Sequence, residues 1–329
     1  MRTLKTHGPR QSLALVVLAA NLGLSLGGLR AAEPADGLAW QRETGAVALL
    51  RQGQVVWQFN YGTNATKPFF HPLSVPGGPV LTANRPADHP WHRGLWFSWK
   101  YLNHLNYWEE DPKTGVAQGR TEWGEPQIEM RPDFSGRIVM EVVYRPPGAP
   151  PVLKEHREVS VSTPDRDGVY HLDWVATFTA QDQDVLLDRT PLPGEPGGQI
   201  FGGYAGLSVR FSTAMKEPQA LAGEGPVSFT SGRYRGKAPA MDYSGVVDER
   251  EVGIAILDFP KNLNSPSPWY AIAENSFRFF TPAVICYQPY TLKAGQGFAL
   301  RYRVMVHPGR WSAERLREVA SPYATEMGH

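Results

Sequence analysis

The stretch Tyr170-His171-Leu172-Asp173-Trp174-Val175-Ala176-Thr177-Phe178 decides the fold class. Tyr170, Leu172, Trp174, Ala176 and Phe178 fall on one side of an extended chain, and His171, Asp173, Val175 and Thr177 on the other. A period of two marks a strand with one face on a core, because successive side chains of extended backbone point to opposite faces. The pattern returns in Phe298, Leu300, Tyr302, Val304 and Val306, which alternate with Ala299, Arg301, Arg303 and Met305. It returns more loosely in Leu153, Glu155, Arg157, Val159 and Val161. Further strands are predicted over residues 55–61, 138–144, 207–212, 252–258 and 282–287. The one helix signal lies near the C-terminus, where Ser312 caps a short helix through Leu316 to Ala320 that Pro322 ends. These signals predict an all-β protein: a large, single-domain, antiparallel β-sandwich with one short C-terminal helix.

Composition agrees. The 329 residues include 33 Gly, 29 Pro and 10 Trp, which suits many turns, short elements and large flat side chains. No linker and no repeat divides the chain after Trp40, so residues 33–329 are expected to form one domain. A formal net charge of +1 gives no electrostatic footprint for nucleic acid or an acidic membrane surface. Arg2, Lys5 and Arg10 precede an apolar run from Ser12 to Leu26, followed by the small residues Gly27, Gly28, Ala31 and Ala32. Residues 1–32 therefore read as a signal peptide, and the mature chain as periplasmic or secreted. Arg30 is a poor residue near the cut, so an uncleaved anchor is the alternative. No transmembrane-length apolar run follows the leader. The single cysteine, Cys286, sits in an apolar run and reads as a buried, inert thiol.

Two segments, residues 189–199 and 261–268, read as long surface loops of the kind that carry function. Residues 202–206 are glycine-rich without the lysine of a phosphate loop, and fit a bulge or a close strand approach.

The chemistry concentrates in residues 71–111. That segment holds His71, His89, His92 and His104, together with Trp91, Trp96, Trp99 and Trp108. Its centre reads Asp88-His89-Pro90-Trp91-His92-Arg93-Gly94-Leu95-Trp96, and a second knot reads Asn106-Tyr107-Trp108-Glu109-Glu110-Asp111. Imidazoles exchange protons near neutral pH, carboxylates act as acids, bases or ligands, and an arginine stabilises an oxyanion. Flat aromatic faces suit sugar rings. His89 and His92 are accordingly candidates for proton transfer, Glu109 for orienting one of them, and Arg93 for holding negative charge on a substrate. Trp91, Trp108 and Trp269 are candidates for gripping a ring, with His71, Asn262 and His307 as further substrate contacts. His71, His89 and His92 are the candidate ligands of one divalent metal ion. Each residue also has a plain structural reading: core for the tryptophans, a solvated turn for residues 109–111, and a turn cap for His307.

The blocks quoted above, with His71-Pro72-Leu73, Gly203-Tyr204-Ala205-Gly206-Leu207, Gly253-Ile254-Ala255-Ile256, Pro268-Trp269-Tyr270 and Arg301-Tyr302-Arg303-Val304, resemble the PmoA-like family of bacterial proteins. Trp91 departs from it, standing where relatives carry histidine. The label that the family inherits implies a methane oxygenase subunit, whereas the missing apolar spans argue against a membrane-embedded one. The architecture looks more like the sandwich of galactose-mutarotase-like carbohydrate proteins. Three functions are expected to compete: an exported carbohydrate-active epimerase, lyase or hydrolase acting on a small-molecule or oligosaccharide ligand, a non-catalytic sugar-binding protein, and a metal-dependent oxidative enzyme.

Overall fold

The computed structural model describes residues 37–326, so the leader expected over residues 1–32 lies outside the described residues. Those residues belong to one compact unit, Ala35–His329. Among them, strands form a nine-stranded, a ten-stranded and a four-stranded sheet. The nine-stranded sheet runs in the order Leu38–Glu43, Ala46–Arg51, Gln54–Asn60, Phe69–Leu73, Leu95–Ser98, Gly206–Arg210, Phe277–Pro282, Pro268–Glu274, Arg233–Lys237. The ten-stranded sheet is built around Gly297–Pro308, flanked by Arg250–Asp258 on one side and Tyr170–Ala180, Leu153–Val161 and Gly136–Arg145 on the other. Tyr170 pairs with Val306 and Phe178 with Phe298, antiparallel, so the two cleanest alternating stretches of the sequence are neighbours. The expected all-β antiparallel class, closed by one C-terminal helix, is the observed one.

The two large sheets pack face to face through aromatic rings. Phe97 of the first lies 5.2 Å from Phe178 of the second. Phe70 lies 6.2 Å from Trp174, and Phe211 stacks on Tyr243 at 4.6 Å. Offset and edge contacts of this kind add stabilisation beyond the burial of area. The loose alternation of Leu153–Val161 has a physical cause: Glu155 and Arg157 face the core too, and satisfy each other there. Arg157 donates from Nε and Nη2 to Glu155 at 2.5 and 2.9 Å, and Tyr144 donates its hydroxyl to the same carboxylate.

Strand parity gives the nine-stranded sheet a second buried face. Phe97, Trp269, Ala271 and Phe280 point into the sandwich, whereas Trp96, Tyr270, Ile272 and Phe279 gather in a separate apolar cluster with Trp108 and Tyr204. The candidate site is built on that second face.

Two expectations need correction. Residues 283–287 are not a strand; the strand is Phe277–Pro282, and the amide of Cys286 turns back to the carbonyl of Ala283 at 2.7 Å. Ala283 to Cys286 are buried on all sides, so the apolar run carries no alternation to separate strand from turn. The helix does begin at Ser312, whose hydroxyl accepts the amide of Arg315 at 3.1 Å, but it runs through Pro322 to Glu326. A proline inside a helix costs on the order of 3 kcal/mol. Here Leu316 and Tyr323, two turns apart on one face, are buried against Leu257 and Phe259 and hold the last turn in place.

Candidate active site

Three chain segments lie over the second face of the nine-stranded sheet and enclose a cavity of about 650 Å³. Its walls are Asp88, His89, Trp91 and His92 from the first segment, Trp108 and Glu109 from the second, and Phe201 and Tyr204 from the third. Tyr270, Ile272, Phe277 and Phe279 of the sheet form the floor, and Arg233, Glu274, Asn275 and Ser276 close one end.

The first segment folds as consecutive tight turns: the amide of His89 reaches the carbonyl of Pro86 at 3.0 Å, and that of His92 reaches His89 at 2.9 Å. Gly94 then lets the chain lie flat on the sheet, since a Cβ there would stand 2.3 Å from the carbonyl oxygen of Phe70. Asn106 shapes the second segment, its side-chain oxygen accepting the amides of Trp108 at 2.8 Å and Glu109 at 3.2 Å. The third segment turns at Gly203, whose φ of +95° and contact with Cys286 and Leu192 leave no room for a side chain. Tyr204 is thereby turned into the cavity.

The two adjacent carboxylates of the second segment have opposite tasks. Glu109 lines the cavity. Its Oε1 accepts the hydroxyl of Tyr204 at 2.7 Å, and its Oε2 accepts the Asn106 amide at 2.7 Å and the ammonium of Lys100. Burial pushes its carboxyl upward, yet the Lys100 charge and these hydrogen bonds outweigh burial and hold it below the usual carboxylate range. Glu110 is buried behind the wall, where Arg93 donates to it at 2.5 Å and Arg85 at 3.2 Å. That pair clamps the first segment to the second.

The imidazoles differ as well. His92 is buried between Trp96, at 5.1 Å, and Phe279, at 5.5 Å, and its Nδ1 has no hydrogen-bond partner. Burial holds it well below its ordinary value, with the neighbouring His89 and Arg210 adding to the effect. His89 stands partly in the open, stacked on Phe277 at 4.6 Å, with its Nδ1 3.3 Å from Asp88. Burial lowers its pKa too, while Asp88 works against that shift. Asp88 is itself fixed by Arg210 at 2.7 Å. Both imidazoles are neutral near pH 7, and His89, the more open of the two, is the one placed to accept a proton.

Of the residues nominated by the sequence, His89, His92, Trp91, Trp108 and Glu109 meet in this cavity. Five do not line it. Arg93 is spent on Glu110 and on the carbonyl of Pro90 at 2.8 Å. Asn262 binds Asp258 and the backbone of Arg301, bracing its own loop. Trp269 faces the sandwich core, with its ring nitrogen donating to Ala238 at 2.8 Å. His307 is sealed against Asp242 at 2.8 Å. His71 is held by Thr82 at 2.9 Å and pushed down to about 4 by burial. His71 does not join His89 and His92, and among the described residues no three His, Cys, Asp or Glu side chains gather that could hold a metal ion. Cys286 is buried and pushed up to about 11, as an inert thiol should be.

Sequence reasoning assigned no role to Asp88, Tyr204 and Glu274, which line the cavity, and named Tyr270 only beside Trp269 as a possible stacking surface. Tyr270, Ile272 and Glu274 alternate with Trp269, Ala271 and Ala273, and the choice of Trp269 fell on the wrong side of that alternation.

Residues 46–321 match the model of a family described as "Family of unknown function (DUF6807)". The chain belongs to that family. No curated protein matches the sequence. Among solved structures, it is similar to a galactose mutarotase related enzyme from Lactobacillus acidophilus, at 8% identity and a TM-score of 0.35 over 82% of this chain and 97% of that one. It is similar also to a protein assigned as an aldose 1-epimerase from Klebsiella pneumoniae, at 8% identity and a TM-score of 0.38 over 86% of this chain and 81% of that one. A heparan sulfate lyase HepC mutant from Pedobacter heparinus is matched at 8% identity and a TM-score of 0.29, over 84% of this chain and 36% of that one.

Proposed function

We propose that this chain is an exported carbohydrate-active enzyme that moves a proton on a sugar bound in the cavity, in the manner of an epimerase, lyase or hydrolase. One observation carries the reading: a neutral imidazole backed by a carboxylate, His89 with Asp88, and an ionised carboxylate, Glu109, line one aromatic cavity. A volume near 650 Å³ suits a mono- or disaccharide. Trp91 and Phe201, the more open rings of the wall, offer faces to the apolar side of a sugar, and the carboxylates offer acceptors to its hydroxyls. His89 is the base, because it is accessible and its Nδ1 stands 3.3 Å from Asp88. His92, stacked behind it in the aromatic wall, shapes the site. Glu109 receives substrate hydroxyls and stabilises positive charge that develops as the proton moves.

The test is a thermal-shift screen of mono- and disaccharides followed by product analysis for each ligand found. A sugar that raises Tm and is converted by the native chain, but not by His89→Ala, supports the reading. Failure of every carbohydrate to bind overturns it.

A further inference from the structure

Three carboxylates line the cavity, and a cation stands behind each of them. Asp88 is 41% exposed, whereas Arg210, which donates to it at 2.7 Å, is fully buried. Glu109 is partly exposed and its partner Lys100 is buried. Glu274 is half-exposed, and Arg233, 2.8 Å away, is the more buried of the two. In each pair the oxygen is the more accessible partner. Arg233 is the one cation of the three that reaches the cavity wall, and its Nη1 is already engaged by Glu274 and by the carbonyl of Ser231 at 3.0 Å. The histidines of the wall add no charge near pH 7.

We propose that the cavity selects an uncharged, polyhydroxylated ligand and rejects its acidic counterparts, uronates and sugar phosphates alike. The proposal rests on the sugar reading above and names the class of sugar. The hydroxyls of a neutral sugar are donors, and the carboxylate oxygens on the wall are acceptors with lone pairs to spare. An anionic ligand would give up its hydration to lie among three carboxylates, and would find each cation behind them already ion-paired to its own carboxylate. An amine gains little in exchange, because each carboxylate is already balanced by its own cation.

The test compares matched ligands on the full mature chain by calorimetry: glucose with glucuronate and glucosamine, and galactose with galacturonate and galactosamine. The neutral member of at least one series is expected to bind at least about tenfold more tightly than its uronate, less than an unpaired buried charge costs in full. A second arm uses Glu274→Gln, a surface change that frees Arg233. Uronate binding is expected to rise relative to neutral binding in that variant. Uronates that bind as tightly as the neutral forms, or amino sugars that bind about tenfold or more tightly than them, overturn the charge assignment and leave the sugar reading standing. If no member of either series binds, the sugar reading falls and this inference with it.

Discussion

The molecule contains the same dipeptide, His-Pro, paired with an aspartate in two places, and the two pairs do opposite things. His307-Pro308 ends a central strand of the ten-stranded sheet, and His89-Pro90 sits in a turn above the nine-stranded one. His307 reaches across the sheet to Asp242 at 2.8 Å, both side chains fully buried, and its ring lies flat on Trp311 at 3.9 Å. Gly253 makes the room, because a Cβ there would stand 2.5 Å from the imidazole. His89 takes its aspartate from the preceding residue, at 3.3 Å, and remains 36% exposed on the cavity wall. Residue type is the same in both; access separates a structural pair from a candidate dyad. A histidine fixed by a neighbouring strand is spent on the fold, and one fixed by its own turn keeps a free edge for a ligand.

The largest expected effect tests that division on the open side. On a sugar that the native chain converts, His89→Ala should lower kcat by about 10²–10⁴-fold, the range for a lost proton-transfer group, with Tm nearly unchanged. Steady-state kinetics and calorimetry on the same preparation read both quantities. Unfolding of the variant, or full activity, would break the comparison.

The sealed pair should behave in reverse. His307→Ala leaves Asp242 buried without its partner and should cost about 3–5 kcal/mol in denaturant unfolding. Ligand binding by the folded fraction should stay native-like. An active, stable His307→Ala chain would show that burial is a poor guide to the role of this pair.

A smaller effect is expected where the open site meets the sheet. Gly94→Ala places a Cβ 2.3 Å from the Phe70 carbonyl, and neither backbone can yield freely. A loss of about 1–3 kcal/mol should follow, as for other overpacked positions. Weaker sugar binding should accompany it, because the displaced segment carries His89 and His92.

The sandwich was legible because alternation along Tyr170–Ala180 and Gly297–Pro308 records directly which side chains face a core. Half of the site was legible because His89, Trp91, His92, Trp108 and Glu109 lie close together in sequence and in space. The other half comes from distant strands, and Tyr204, Tyr270 and Glu274 look like ordinary strand or turn residues until the sheet brings them across. Charge pairing was equally hidden. Nothing local distinguishes Glu109, on the cavity, from Glu110, in the clamp behind it, because the direction of each is set by Lys100 and Arg93. Arg93, the most attractive cation in the motif, was misread for that reason.

The smallest predicted effect concerns the aspartate of the open pair. Burial lowers the pKa of His89, and the Asp88 carboxylate partly restores it. A base acts in its unprotonated form, so activity should fall on the acid side as His89 takes up a proton, and that limb should lie below the ordinary imidazole value of 6.5. In Asp88→Asn the restoring charge is gone, and Arg210, no longer balanced, pushes in the same direction as burial. The acid limb should therefore move further down. The shift carries a sign that a merely structural Asp88 would not impose. If the limb moves up, or stays fixed while kcat falls across the whole pH range, Asp88 does not tune His89, and the open pair works by orientation alone.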